Sequence, residues 1–543
     1  MSTIINLAHN FVGSNNINLL QPIGQFGTRL QGGKDAASPR YIFTMLSPLT
    51  RHLFHIQDDP ILKPNFDDNK KIEPEWYCPI IPTVLVNGCE GIGTGWSTRI
   101  HNYNPRELVK NIRRMLDGDE PTVMTPWFKN FKGHIEYLDN HRYVCNGEIG
   151  RLAHNKFEIT ELPIREWTQH YKESVMEPLV QGTDKISPLI SDYREYHTDS
   201  TVKFVVTIPE TNVDKIEDDP HKHFKLQNTL ATSCMVLFDE LGVLRKYSTV
   251  EEILKTFFNV RMKLYEKRKK YFVGMLEAEA GKLSNQARFI LEKCDGRLVI
   301  ENKKKKDMIE ELQRKGFESD PVKMWKIAQD RDAALEQEEN SDSESVDDIA
   351  SGGPDFDYLL GMAMWNLTKE KKDELMKKKE DKLNELDRLR NKTPSDLWRD
   401  DLDAFEIALN EVEEKERLEE MEQVSATVAK KGKGVTGKRK ILHEEAMPSP
   451  KAQRIAPKID PELKRKAEKA AALKENKGKK VKKEVIPDDE FDELVSTNTG
   501  KSLANRLGNS PNLVMKKAKQ TKKDGFKQTT LNFGKKVIVL KLF

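Results

Sequence analysis

The stretch GGKDAASPRYIFT, residues 32–44, carries the strongest chemical signal in this chain of 543 residues. Its first part is predicted to be a loop, because Gly32-Gly33 frees the backbone and Pro39 disfavours a helix at the residue before it. After Pro39, apolar residues recur with helical spacing through Leu49, so a helix is predicted to start there. Its N-terminus would present free N–H groups beside Arg40 and Tyr41, an arrangement that suits a phosphate.

Arg40 and Tyr41 are candidates for nucleophilic chemistry at a phosphodiester. A tyrosine hydroxyl titrates near pH ~10, so it attacks only when a neighbour takes its proton or stabilises the developing charge. The planar guanidinium of arginine suits the second task, because it pairs two phosphate oxygens at once. The alternative is a packing role, since the chain has 12 tyrosines and most tyrosines are half-buried. Chemistry alone favours that alternative.

A wider resemblance changes this balance. The run PIGQFGTRLQGGKDAASPRY, residues 22–41, resembles the type IIA DNA topoisomerases of eukaryotes, and the resemblance continues through EGIGTGW, residues 90–96. In that family the tyrosine attacks a backbone phosphate and holds the 5′ end of the DNA covalently, while the adjacent arginine stabilises the transition state. The resemblance therefore implies that Tyr41 is the nucleophile and Arg40 its catalytic partner.

The resemblance also implies DNA-binding residues. It places the glycine-rich loop 91–95 against the minor groove and gives Ile92 the position of a wedge that opens a base step. Arg29, in a wing at about residues 25–33, and Lys34 are further DNA-binding candidates. On their own, alternate glycines indicate only a tight turn. Four more cations are candidate phosphate contacts, although a solvated surface charge is the simpler interpretation of each: Arg113, Arg114, Lys129 and Lys132.

The fold is predicted to be multidomain α+β. By resemblance, residues 1–95 form a partial winged-helix domain with the tyrosine loop, and residues 96–248 form an α/β tower. Residues 249–425 form a long antiparallel coiled coil with a distal dimerisation gate, and residues 426–543 form a disordered basic tail. The winged-helix domain is expected to be partial because the family's earlier helices do not precede residue 1.

Local patterns in the first half specify these parts. A helix is predicted from Met1 to Phe11, and β-rich structure from Pro79 to Trp96. Asn104-Pro105 is typical of a helix start, and Gly118 of the end. Short strands are predicted over 122–208, with 204–208 the clearest.

The second half is predicted to be mostly helical. One helix should run over 249–291, with an apolar seam for a partner helix at Leu254, Phe258, Tyr265, Phe272 and Leu276. The partner should return over 368–390, and a further helix should run over 393–420. Between them an acidic run, 336–348, is predicted to be a disordered loop, since its composition implies no fixed metal geometry.

The charge distribution points to nucleic acid. The chain carries a net charge of +3, but from residue 426 onward there are 30 Lys+Arg against 13 Asp+Glu. A basic tail of this kind binds nucleic acid or an import receptor, and clusters at 437–440 and 464–466 resemble nuclear import signals. The five scattered cysteines indicate a reduced, intracellular protein. No apolar stretch of about 18 residues is present, so no membrane span is expected.

Two modules of the family are not recognised in this sequence. They are the ATPase domain and the acidic metal-binding domain, whose Mg²⁺ steadies the scissile phosphate and the leaving 3′ oxygen. No cofactor is therefore expected in this chain, with Mg²⁺ and ATP entering only through partner domains. Whether the chain is an enzyme stays open at this point.

Three hypotheses follow. The first is a DNA-binding, dimerising chromosomal protein of the nucleus that acts in mitotic sister-chromatid resolution and does not complete strand passage alone. The second is a cleavage-religation half that obtains metal and ATPase domains in trans, through a heterodimer with a full-length topoisomerase II. The third is a non-enzymatic coiled-coil scaffold on chromatin. The first is favoured for the isolated chain, as a homodimer on double-stranded DNA.

Overall fold

The computed structural model describes residues 1–67, 70–93, 96–139, 142–182, 187–298, 303–338, 355–362, 369–429, 446–459 and 465. The helices are α1 (Ser2–Ala8), α2 (Thr50–Leu53), α3 (Thr83–Val86), α4 (Pro105–Leu116), α5 (Thr168–Tyr171), α6 (Glu177–Gln181), α7 (Glu210–Asp218), α8 (Pro220–His223), α9 (Val250–Cys294), α10 (Lys305–Arg314), α11 (Pro321–Glu338), α12 (Asp357–Leu360), α13 (Lys369–Asn391) and α14 (Pro394–Ala429). The strands are β1 (Pro64–Asp67), β2 (Lys70–Pro74), β3 (Cys89–Gly93), β4 (Trp96–Ile100), β5 (His134–Tyr137), β6 (Arg142–Asn146), β7 (Glu148–Ala153), β8 (Lys156–Glu161), β9 (Asp192–Glu195), β10 (Phe204–Thr207), β11 (Gln227–Ala231), β12 (Met235–Phe238), β13 (Leu244–Tyr247) and β14 (Gln453–Arg454). Two 3-10 turns cover Pro39–Tyr41 and Ile56–Ile61, and a π turn covers Lys172–Met176.

The prediction of a helix after Pro39 is wrong. A single 3-10 turn covers Pro39–Tyr41, and Ile42 follows in extended conformation with φ −123° and ψ 152°. The chain then pairs with an earlier segment, where Phe43 N donates to Ile23 O at 3.1 Å. Because that segment satisfies the backbone groups, extended pairing replaces the helix. The tyrosine therefore does not lie at a helix N-terminus, and the expected phosphate site of that type is not formed.

The first helix is also shorter than predicted. It ends at Ala8, which is its one buried residue. The side chain of Asn15 donates to the carbonyls of Asn6 and His9, at 2.7 and 2.9 Å. These bonds satisfy carbonyl groups that a longer helix would use internally.

The segment Pro79 to Trp96 is only partly β-structure. Residues 83–86 form α3, in which Val84, Leu85 and Val86 are all buried. A short apolar run with every side chain buried has no period that separates a helix from a strand. The hairpin β3–β4 follows, with Ile92 opposite Ser97.

The largest core joins residues that are far apart in the sequence. Its members include Leu53, Val109, Tyr247, Phe257 and Trp398. Trp398 is fully buried, and its indole Nε1 donates to Ile80 O at 3.0 Å. Residues on both sides of positions 95 and 248 thus share one core, and the domain boundaries proposed there stay predictions.

The region predicted to be the tower contains two larger antiparallel sheets besides strand β4 and the β12–β13 hairpin. One has the strand order β14-β7-β8-β10-β9, and the other has the order β11-β6-β5. The predicted strand at 204–208 is confirmed as β10, in which Phe204 and Val206 are buried and alternate with half-buried neighbours. A second apolar core lies against the larger sheet and includes Ile149, Phe157, Ile159 and Ile216.

The predicted helix at Asn104 is confirmed as α4. The Asn104 side chain caps it by accepting a hydrogen bond from Arg106 N at 2.9 Å. The helix ends before Gly118, which has a φ of +90°.

Two long helices pack side by side where the sequence predicts them. The helix α9 is 45 residues long and is capped by Thr249, whose hydroxyl accepts from Glu252 N at 3.2 Å. The helix α13 runs antiparallel to it, since Lys269 Nζ contacts Arg390 O and Lys379 Nζ contacts Ser284 Oγ, at 2.9 and 3.0 Å. A compact unit that contains α10 and α12 lies at the far end of α9 and has its own small core. Helix α11 packs back along α9, with Trp325 against Tyr271. Supercoiling and the dimerisation gate stay predictions.

The predicted tail is not uniformly without structure. The helix α14 continues to Ala429, and residues 446–459 pack on the tower, where β14 pairs antiparallel with β7. The reason is local: Ile455 packs against the tower core, while composition alone gave these residues no partner. The rest of the tail lies outside the described residues apart from residue 465, and so do the 437–440 cluster and most of the 464–466 cluster. The acidic run predicted to be a loop begins within α11 at 336–338, and its remainder also lies outside the described residues.

Across the described ranges, none of the helices combines the length and the apolar character that a bilayer crossing requires.

Candidate functional site

The tyrosine loop presents Arg40 and Tyr41 together at the surface. Tyr41 closes the 3-10 turn through a hydrogen bond from its N–H to Ser38 O at 3.0 Å, and its side chain is 71% exposed. The neighbouring Arg40 is exposed as well, and its guanidinium carbon lies 5.8 Å from the centre of the Tyr41 ring. Both side chains are thus accessible to a large polyanion.

A carboxylate fixes the backbone of this loop. Asp35 accepts hydrogen bonds from Thr28 N and Thr28 Oγ1, at 2.9 and 2.6 Å, and from Gln25 Nε2 at 3.3 Å. A backbone bond from Ala37 N to Gln25 O, at 2.9 Å, closes the same loop. These hydrogen bonds tie residues 35–37, which lead to Tyr41, to the earlier segment 25–28.

Glycines allow the loop to close on itself and on the tower. Gly27 has a φ of +103°, and a Cβ there would lie 2.5 Å from Gly33 Cα. A Cβ on Gly32 would overlap the ring of Trp167. One further bond, from Gln169 N to the carbonyl of Leu30 at 3.0 Å, joins the loop to the tower. Any larger side chain at these glycines would displace the loop.

Arg29 lies apart from the surface pair. Its side chain is buried and forms an ion pair with Glu161, which is itself buried. The same carboxylate accepts from Lys132 N at 3.2 Å and from Leu162 N at 2.9 Å. This placement fits a link between the loop and strand β8 better than a contact with DNA. Lys34, by contrast, is exposed in the loop.

Ile92 is displayed near the end of the β3–β4 hairpin. Its side chain is 93% exposed, although burying an isoleucine is favourable in water. The outer edge of the hairpin is attached to β12, because Arg99 N donates to Cys234 O at 2.7 Å and Val236 N donates to Thr98 Oγ1 at 3.2 Å. The apolar side chain is thus presented on a supported element.

Sequence reasoning missed the charged group beside Ile92. Glu90 forms ion pairs with both Arg99 and Arg165. Burial raises the pKa of Glu90, but the hydrogen bonds and charges of the two arginines outweigh it, so the net pKa lies below the usual value. Arg165 lies 75 positions away in the sequence, so no local spacing indicates this group.

The four other candidate phosphate contacts are mostly engaged within the protein. Arg113 pairs with Asp403 and Glu406 of α14, at 2.5 and 2.7 Å. Lys129 pairs with Glu416 at 2.6 Å, and Arg114 lies 3.9 Å from Asp119. Phosphate would have to compete with these carboxylates. Lys132 donates its backbone N–H to Glu161.

The surroundings of Tyr41 do not fit a metal site within the described residues. The carboxylate nearest in the loop, Asp35, is engaged by Thr28 and Gln25. Across the described ranges, no group of three or more His, Cys, Asp and Glu side chains has the spacing to hold a metal ion. The described residues around this loop thus combine an exposed tyrosine with an exposed arginine.

Comparison with known proteins identifies the protein family of this chain. The family model for the A subunit of DNA gyrase/topoisomerase IV matches residues 1–403 of this chain. The chain belongs to this family.

Within that family, the chain is similar to the eukaryotic enzymes. It is 57% identical over 471 residues to DNA topoisomerase 2-alpha of Cricetulus griseus, a match that covers 86% of this chain and 30% of that protein. It is 56% identical over 461 residues to DNA topoisomerase 2-beta of Homo sapiens, covering 84% of this chain and 28% of that protein. The resemblance to eukaryotic topoisomerase II is thus confirmed, and the chain spans about 30% of the length of these relatives.

A solved structure confirms the mixed α/β, multidomain fold. The crystal structure of the Plasmodium falciparum topoisomerase II DNA-binding, cleavage and re-ligation domain superposes with a TM-score of 0.66 at 41% identity. The match covers 77% of this chain and 56% of that chain. The architecture is therefore similar to that of a topoisomerase II cleavage-religation domain.

Proposed function

We propose that this chain binds double-stranded DNA and supplies the nucleophilic tyrosine of a topoisomerase II-type cleavage site. One observation carries the proposal: Tyr41 and Arg40 lie side by side, exposed, on a loop whose backbone is fixed by Asp35. A fixed loop holds the hydroxyl and the guanidinium in one geometry, so that less ordering remains when DNA binds.

The proposed reaction is a reversible transesterification. The Tyr41 hydroxyl oxygen attacks a backbone phosphorus, the P–O3′ bond breaks, and the 5′ phosphate is held as a tyrosine ester. The hydroxyl loses its proton and the leaving 3′ oxygen gains one, so atoms and charge balance. Arg40 stabilises the charge that develops on the phosphate oxygens. Attack by the 3′ hydroxyl on the ester reverses the step and reseals the strand.

Ile92 is proposed to be the wedge that opens a base step. An apolar side chain that is 93% exposed gains burial when it enters the base stack, and the resulting bend brings more DNA onto the protein. Lys34 is proposed to contact phosphate near the tyrosine. Arg29, which is buried against Glu161, is assigned to the support of the loop and not to the DNA surface.

Metal and ATP enter this proposal only from outside the described residues. When bound, Mg²⁺ would stabilise charge on the scissile phosphate and the leaving oxygen. Strand passage by this chain alone is not proposed. That part follows the sequence-based prediction that metal-binding and ATPase domains act in trans.

The cellular role is inferred from the family. We place the chain in the nucleus, on chromosomes, as a homodimer or as a heterodimer with a full-length topoisomerase II, and assign it to sister-chromatid resolution in mitosis. The basic composition beyond residue 426, with 30 Lys+Arg against 13 Asp+Glu, supports binding to chromatin. The long antiparallel pair α9 and α13 supports dimerisation through the distal unit.

A covalent-complex assay tests the proposal. The full chain is mixed with supercoiled DNA, Mg²⁺ and a full-length topoisomerase II whose own catalytic tyrosine has been replaced by phenylalanine. DNA linked through its 5′ end to this chain, and absent with Tyr41→Phe, supports the proposal. The matched control is Tyr137→Phe, which removes a hydroxyl from another exposed tyrosine.

Two outcomes separate the hypotheses. An adduct without the added enzyme would mean that the chain obtains a working metal site by itself. No adduct in either mixture, with DNA binding intact, would overturn the cleavage proposal and leave a DNA-binding chromosomal protein.

A further inference from the structure

One segment of the basic tail is bound to the tower. Residues 446–459 follow the edge of the five-stranded sheet, where Gln453 and Arg454 pair with Arg151 and Gly150 of β7. The pairing continues through Ile455 N, which donates to Ile149 O at 3.0 Å. An extended peptide added to a sheet edge gains affinity from backbone hydrogen bonds and specificity from side-chain pockets.

Two buried charges of the tower contact the backbone of this segment. Lys203 Nζ donates to Met447 O at 2.6 Å, and Ser449 N donates to Glu158 Oε1 at 2.9 Å. Lys203 and Glu158 are both buried and lie 3.7 Å apart. Lysine and glutamate are almost never buried unless they are paired. Here each is also completed by a peptide group of the segment, one carbonyl and one N–H.

Side chains add further contacts on either side of this pair. Arg454 forms an ion pair with Glu148 at 2.7 Å, and Ile455 packs against the apolar core of the tower. Farther along, Gln227 Nε2 donates to the carbonyl of Lys458 at 2.6 Å. The segment is thus held at its start, its middle and its end.

The edge of β7 is shaped for close approach. A Cβ added to Gly150 would lie 3.2 Å from the Cβ of Ala452, so a larger residue there would crowd the bound segment. Between the sheet and the segment lies a cavity of about 250 Å³, lined on the tower side by Glu148, Glu158 and Thr160. The acidic lining suits a basic peptide.

We propose that this edge of the tower is a peptide-recognition site whose ligand is segment 446–459 of the same chain. Capture of the segment divides the tail in two. In the sequence, residues 430–445 lie between α14 and the bound segment, and the residues from 460 onward, with 21 Lys+Arg against 11 Asp+Glu, follow it. The tower thereby fixes the origin of the distal basic arm.

Charge reversal in the full chain tests this site. Arg454→Glu places a carboxylate against Glu148, while Lys451→Glu makes the same charge change at an exposed position of the same segment. Hydrogen exchange is followed by mass spectrometry on peptides that cover 446–459. Arg454→Glu is expected to speed exchange at Ser449 and Ile455 by about threefold to tenfold, because a largely exposed ion pair is lost and repulsion replaces it. Lys451→Glu is expected to leave the rate unchanged.

The reciprocal swap completes the test. Combining Arg454→Glu with Glu148→Arg restores the pair with opposite polarity, and slow exchange is expected to return. Exchange of the segment in the unaltered chain at the rate of an unstructured peptide would overturn the proposal. So would equal acceleration by Arg454→Glu and Lys451→Glu, since the contact with Glu148 would then not matter.

Discussion

Two arginine–tyrosine pairs among the described residues have opposite environments. Arg40 and Tyr41 are adjacent in a surface loop, and their groups lie 5.8 Å apart, guanidinium carbon to ring centre. Arg261 and Tyr265 are one turn apart on α9, with the guanidinium carbon 4.3 Å from the ring centre, and both are fully buried. The same two side chains thus form an accessible pair in one place and a closed one in the other.

In the buried pair, both side chains already donate hydrogen bonds to acceptors of the protein. Arg261 donates to Asp58 Oδ2 at 2.8 Å and to Cys78 O at 3.0 Å, and the Tyr265 hydroxyl donates to Asp401 Oδ2 at 2.8 Å. Burial also raises the pKa of Tyr265, which keeps its hydroxyl protonated. An arginine beside a tyrosine is therefore available for phosphate chemistry only where no carboxylate of the protein has taken the place of the phosphate.

The largest difference between the two pairs is expected when each tyrosine is replaced by phenylalanine, which removes its hydroxyl. Tyr41→Phe is expected to abolish the covalent DNA adduct without changing the free energy of unfolding, because the hydroxyl is exposed. Tyr265→Phe is expected to retain the adduct and to lower stability by about 1–2 kcal/mol, since Asp401 loses a buried donor. Adduct assays and urea titrations on both variants check this. A normal adduct with Tyr41→Phe would remove the distinction.

Removing the arginines should give the next largest contrast. Arg261→Ala is expected to cost about 3–5 kcal/mol of unfolding free energy, because buried Asp58 loses its hydrogen-bonded partner and keeps only Arg268, at 3.7 Å. Arg40→Ala is expected to change stability by less than about 0.5 kcal/mol and to slow adduct formation about 10²–10³-fold, as loss of a transition-state donor does elsewhere. Urea unfolding and single-turnover cleavage measure the two effects. Equal destabilisation by both variants would contradict the comparison.

The exposed pair could be found from the sequence, whereas its neighbours could not. Arg40 and Tyr41 are adjacent in a loop that its glycines and proline make recognisable, and the family resemblance then implies their catalytic roles. The helices α4, α9 and α13 were also predictable, because cap residues and a helical apolar period specify each of them locally.

The features that could not be predicted from the sequence depend on distant partners. Nothing near Arg29 shows that Glu161 will bury it, and nothing near Glu90 points to Arg165. The helix predicted after Pro39 had a good local period, but segment 20–23 pairs with the chain instead. Likewise, the composition of residues 446–459 is typical of a disordered tail, and only the pairing with the edge of β7 gives this segment a structure. Local patterns specify elements, while tertiary partners decide exposure.

A smaller effect is expected from the carboxylate that holds the exposed pair in place. Asp35→Ala removes three hydrogen bonds to Thr28 and Gln25, so a loss of about 2 kcal/mol is expected, with slower adduct formation. The control is Asp59→Ala, which breaks the exposed pair with Arg51 and should cost less than about 1 kcal/mol. Adduct formation at the normal rate in Asp35→Ala would show that the loop is ordered without its carboxylate.

The smallest expected effect tests how tightly the buried pair is closed. Burial raises the pKa of the Cys78 thiol to about 12, whereas Cys294 is exposed. At pH 8, iodoacetamide is therefore expected to modify Cys294 readily and Cys78 only when the chain unfolds, because the thiolate is the nucleophile. The charge of Arg261 lowers the Cys78 pKa, so its removal from a site that stayed closed would make the thiol still less reactive. Faster labelling of Cys78 in Arg261→Ala can then arise only from opening of the site, and slower labelling would show that packing alone keeps this region closed.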